Sequence, residues 1–116
     1  MTVTVKIVAF KRSKRTIGGL YAGYCPAIRS FCIKGESIQD VIKDLKHSLI
    51  IALKNRLAFT NMRSYGWQVS ENSAKPPIFA DEYLVSETER VFDTHIENPS
   101  IIEINVELPR AERTIY

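Results

Sequence analysis

Residues that build most catalytic and metal sites are scarce in this sequence. It holds two cysteines, Cys25 and Cys32, and two histidines, His47 and His95. Neither C-x-x-C nor H-E-x-x-H spacing occurs among them, so a zinc site would lack ligands. No Asp or Glu lies between Met1 and Gly35. The first strands therefore bring no carboxylates to a two-metal hydrolytic centre. Gly18-Gly19 has neither the spacing nor the lysine of a phosphate-binding loop. A Cys25–His95 or Cys32–His47 pair is conceivable, but any chain with two of each residue offers as much. No enzyme activity and no cofactor are expected.

Long apolar runs are missing too. None reaches the roughly 18 residues of a membrane span. The start, "MTVTVKIVAFKR", alternates instead of forming the apolar core of a signal peptide. Two cysteines in such a chain fit a reducing compartment better than a secreted disulfide scaffold. A cytoplasmic protein with no membrane partner is the expectation. Both cysteines read best as small buried hydrophobes.

What is present is the composition of one globular domain, 1–116, with 45% hydrophobic and 25% charged residues. The net charge of +3 conceals an asymmetry. Up to Arg63 there are twelve Lys/Arg against three acids, and from Ser64 onward four against ten. Either half could meet a partner of opposite charge, or the two could neutralise each other as neighbouring surfaces.

Residues 2–12 alternate, with Val3, Val5, Ile7 and Ala9 on one side and Thr2, Thr4 and Lys6 on the other, which predicts a half-buried strand. "KRSKRTIGG" reads as a hairpin loop, "LYAGYC" as a second strand, and "RSFCIK" as a third, turned at Pro26. Ser37 with Asp40 three residues on has the form of a helix cap. Ile38, Val41, Ile42, Leu45, Leu49, Ala52 and Leu53 then form a helical stripe, which Leu57 extends by a turn. Ile50 and Ile51 fall outside it. They imply burial on two sides of the helix end or contact with a second subunit.

Beyond Thr60, Pro76-Pro77 forbids helix locally. "DEYLVSETERVF" predicts a short helix with Asp81 as N-cap and Leu84, Thr88, Val91 and Phe92 on one face. Trp67 could anchor an interface or pin this long segment to the core, and the second reading is favoured. "SIIEINVELP" alternates Ile102, Ile104, Val106 and Leu108 with Glu103, Asn105 and Glu107, a last strand with an acidic outer row.

Binding chemistry has two candidate sources. Lys11, Arg12, Lys14 and Arg15 put four cations on the first hairpin, where they could neutralise phosphates or simply keep a sheet edge soluble. Tyr21, Tyr24 and Phe31 could stack bases, although strand aromatics more often belong to a core.

The stretch "GGLYAGYCPAIRSFCIKGESIQDVIKDLKHSLIIALK" resembles the HicB-like family of bacterial antitoxins. Gly19, Tyr21, Tyr24, Cys25, Pro26, Cys32, Gly35, Glu36, Ser37 and the helix positions Val41, Ile42, Leu45, Leu49 and Leu53 carry the likeness. With the flanking strands it covers about two-thirds of the chain. The resemblance implies an α+β fold of partial RNase H-like β-β-β-α-β type. Three antiparallel strands form a meander, a long helix packs on it, and a last strand rejoins the sheet. It also implies a non-catalytic, homo-oligomeric protein that occludes a small basic RNase toxin. Glu103 and Glu107 would then offer an acidic face to the toxin, and Ile50 and Ile51 an oligomer contact.

Three features depart from the family pattern. Residues 60–99 are a longer insertion than usual. Nothing after the last strand has the length of the family's DNA-binding module, so repression of its own operon by that route is not expected. The positive net charge is unusual for the partner of a basic toxin. Two alternatives stand beside it: a nucleic-acid-binding module using the basic hairpin, and an orphan oligomeric domain without a toxin.

Overall fold

The structure, a computed structural model, describes residues 1–16, 19–29, 32–58 and 61–112; the side chains of 13–16 and 61 fall outside that description. It is α+β. Four strands form one antiparallel sheet: β1 (Thr2–Thr16), β2 (Gly19–Tyr24), β3 (Cys32–Gly35) and β6 (Ser100–Glu107), in the order β3-β2-β1-β6. The meander β1-β2-β3 is the expected one. The last strand returns to the far side of β1 and pairs with it from Thr2↔Glu107 to Ala9↔Ser100 without a register break.

Helix α1 (Ile38–Lys54) starts where the sequence places it, because the Ser37 hydroxyl accepts the Asp40 backbone N–H at 3.1 Å. Val41, Leu45, Leu49, Ala52 and Leu53 are buried against Val3, Val5, Ile7 and Ala9 of β1 and Ile104 and Val106 of β6. Gly23 sits beneath the helix. A Cβ there would lie 2.3 Å from the Val41 side chain, so glycine lets α1 approach β2.

The helix does not run on to Leu57, which is 42% exposed. The Asn55 side chain and backbone N–H both donate to the Ile51 carbonyl and close the last turn. Arg56 then turns inward.

The hairpin also differs from expectation. β1 continues through the basic stretch to Thr16, which pairs with Gly19, with a register shift after Lys11. Gly19 supports the reversal with φ +114°, a conformation that suits glycine.

The segment between α1 and β6 holds a short helix α2 (Asn61–Ser64), a small hairpin of β4 (Gln68–Val69) and β5 (Ala74–Lys75), and helix α3 (Asp81–Phe92). Ala80, not Asp81, is the cap residue of α3; Asp81 is its first helical residue and instead pairs with Lys6 at 3.2 Å. The face of α3 follows the predicted order, with Leu84 and Thr88 buried and Val91 and Phe92 half-buried. The Thr88 hydroxyl is satisfied by donating to the Leu84 carbonyl at 2.7 Å.

Helix α3 covers one end of the sheet face opposite α1. Lys6, Val8 and Phe10 alternate with the residues beneath α1, and Phe10 meets Phe92 edge to face at 5.1 Å. Val8 and Phe10 are both buried, so β1 is covered on both faces there.

Candidate functional site

Strand β6 is the last strand of the sheet, and among the described residues nothing pairs with its outer edge. Its alternation divides its side chains into two rows. Ile104 and Val106 are buried toward α1, with Ile102 half-buried beside them. Glu103, Asn105 and Glu107 are exposed on the opposite face, in register with Lys6, Thr4 and Thr2.

That exposed row is a polar ladder. Thr4 donates to Asn105 Oδ1 at 2.5 Å and Thr2 donates to Glu107 Oε1 at 2.7 Å. The Met1 amine lies 3.5 Å from Glu107 Oε2. The Thr2 hydrogen bond and then the amine's charge hold the Glu107 carboxyl below its ordinary pKa, so it is ionised at neutral pH. Glu103 faces Lys6 across the ladder, but the Lys6 ammonium is directed to Asp81. Among the described residues no cation pairs with Glu103.

At the end of β6 a groove of about 390 Å3 wraps around the open edge. Lys46, Ile50 and Val106 line one side of it, and Thr2, Asn105 and Glu107 the other. The structure thus separates the two isoleucines taken together in the sequence. Ile50 is half-buried against the core and reaches the groove, whereas Ile51 is 47% exposed. Nothing in the sequence singles out Lys46, although its spacing of four from Ile50 puts both on one flank of a helix.

The basic candidates form no described loop. Lys11 is an exposed strand residue in register with Tyr21, and Arg12 is half-buried with its charge close to Cys32. The side chains of Lys14 and Arg15 lie outside the described residues, as does Phe31. Tyr21 and Tyr24 are three apart on a regular strand and so point to opposite faces, which rules out a shared stacking platform. Tyr21 packs on the α1 side. Tyr24 is buried near Glu87 and Arg90 of α3, and burial, with Glu87's charge second, pushes its hydroxyl up to about 12.

The conceivable nucleophiles are poorly placed for that role. Burial pushes the Cys25 thiol up to about 11, against weaker opposing hydrogen bonds from the Ile28 and Ala27 backbone. Cys32 is exposed, contrary to the expectation that both cysteines are buried. His47 is exposed on α1, and His95 Nδ1 lies 2.8 Å from Glu89. Among the described residues no group of three or more His, Cys, Asp or Glu is arranged to hold a metal ion. None of the described helices is long and apolar enough to cross a membrane.

Trp67 acts as the sequence suggested: it is buried, and its indole N–H donates to the Ala27 carbonyl at 2.7 Å. Arg56 was missed. It is only 2% exposed, and its guanidinium donates to the carbonyls of Leu53, Pro109, Ser70 and Glu71. A basic residue just past a helix end carries no sequence signal that separates this clamp from a solvated charge.

No family model, curated protein or solved structure matches this chain. The likeness to the HicB-like family therefore rests on the motif residues themselves.

Proposed function

We propose that this chain is a HicB-like, non-catalytic binding protein that neutralises a small basic RNase by covering it. The observation that carries the reading is the acidic outer row of β6 beside an open strand edge. Glu103 and Glu107 stand on the exposed face of a regular strand, where carboxylates can steer and orient a basic partner without being buried. The acids concentrated after Ser64 offset the positive net charge as an objection.

The test begins with capture of the tagged chain from a cell lysate across a salt series. A small basic protein should remain bound in moderate salt. Released from the chain, that protein should cleave RNA, and adding the chain back in equal amount should stop the cleavage. Recovery of nucleic acid alone, lost as salt rises, would contradict the proposal and favour the Lys11, Arg12, Lys14 and Arg15 stretch as the site.

A further inference from the structure

We propose that the free edge of β6 is a strand-addition site, and that its occupant is an extended segment of the partner alternating apolar with basic residues. The inference rests on the binding-protein reading and adds the mode and the chemistry of contact.

Edge strands expose unpaired backbone N–H and C=O groups, and proteins commonly blunt them with proline, bulges, very short strands or a covering element. Ser100–Glu107 has neither proline nor glycine, and its pairing with β1 shows no register shift. At about 3.4 Å per residue it offers an edge about 27 Å long. The opposite edge of the sheet is different: β3 has four residues among those described and ends at Gly35. The two edges are thus unequal as templates, and β6 is the stronger one.

The two rows of β6 dictate what an added strand must carry. Residues directed toward α1 would meet Ile50, Val106 and the half-buried Ile102, an apolar surface. Residues directed to the other face would meet Glu103 and Glu107, and there Lys or Arg is complementary. Lys46 fixes the assignment. It stands on the apolar side of the groove, so a strand turned over would set its cations against Lys46 and its apolar residues against carboxylates. A second copy of β6 is a poor occupant, because it brings an identical acidic row against the first.

A nine-residue peptide alternating valine with lysine is the probe. Its titration is compared with a peptide of the same composition in two blocks, and with an alternating peptide N-methylated on every second residue. The alternating peptide should bind and slow amide exchange along Ser100–Glu107. The block peptide should bind at least tenfold more weakly, and N-methylation on the pairing side should abolish binding, because the backbone hydrogen bonds supply the contact. Glu103→Gln should weaken the alternating peptide by about threefold, the size of one exposed charge pair. Equal binding of all three peptides would overturn the proposal, since that is charge attraction without strand pairing. No binding would overturn it as well, as would β6 amides already protected by dimerisation of the chain alone. If a basic RNase is still captured and inhibited while any of these holds, the proposed function stands and the partner docks elsewhere.

Discussion

The frame of four strands and α1 is held by rows of apolar residues at regular spacing, whereas the segment between α1 and β6 adds scattered apolar residues, Met62, Trp67 and Ala74 in the same core and Phe92 against Phe10, and is tied down by single polar anchors. In the frame, Leu45 and Leu49 meet Val5, Ile7 and Ile104 in one continuous core. Many modest contacts share the load there. In the inserted segment, Arg56 alone donates to two carbonyls of the β4–β5 connection, those of Ser70 and Glu71. Trp67 ties the segment to the turn after β2 through one hydrogen bond to Ala27. Toward α3, Lys6 pairs with Asp81, and Glu89 accepts the Ile96 backbone N–H at 2.8 Å. Losing a core contact should weaken the whole molecule, while losing an anchor should loosen one region first.

Substitutions on the two sides break this contrast to different extents. Leu45→Ala should have the largest effect. It leaves a cavity between α1 and the sheet and should cost about 3 kcal/mol in urea unfolding, with exchange accelerated throughout the frame. Arg56→Met should come next, at about 2 kcal/mol, since it strands the buried Leu53 carbonyl and three part-buried ones that the guanidinium now satisfies. Its signature should be local: faster exchange at Gln68–Val69 and Ala74–Lys75 before any change in α1. Trp67→Phe keeps most of the apolar volume and removes the donor to Ala27, so about 1 kcal/mol is expected, again with loosening confined to the insertion and the turn it meets.

The smallest effect concerns pH. The Arg90 hydrogen bond holds the Glu87 carboxyl below its ordinary value of 4.5. The folded chain therefore binds that proton less readily than the unfolded chain. The stabilisation is full above about 4.5 and is lost as pH falls through the lowered folded value. Glu87→Gln should flatten that part of the acid limb in a stability-versus-pH series and leave its shape near neutrality unchanged.

The same contrast explains what was legible beforehand. Periodicity identified the α1 stripe and the two rows of β6, because burial on one face leaves a regular imprint on sequence, and the Ser37 cap was legible because its partner, Asp40, is only three residues away. Trp67 was legible as a pin because a large aromatic in a polar stretch needs somewhere to go. The end of α1, the extension of β1 through the cations to Thr16 and the one-residue shift at Asp81 were not. Each depends on a partner that local sequence does not specify: the Ile51 carbonyl for Asn55, Gly19 for Thr16 and Lys6 for Asp81. Burial of Val8 and Phe10 depends likewise on α3, some 80 residues later in the chain.

For the candidate site, the residue types of the outer row were readable and the location was not. Glu103 and Glu107 follow from alternation, but that their strand lies at an open edge follows from the order β3-β2-β1-β6, a product of tertiary pairing. Lys46 and Ile50 become neighbours of that edge only because α1 crosses the sheet to reach it. As a loop, the basic stretch would be one feature. As strand residues, Lys11 and Arg12 have distinct surroundings.

The most direct test of the account is amide hydrogen exchange on the chain alone and on its complex with the captured basic partner. The account predicts new protection along Ser100–Glu107, with the amides of Cys32–Gly35 unchanged. Protection at β3 or along the basic end of β1, with β6 exchanging as in the free chain, would contradict it.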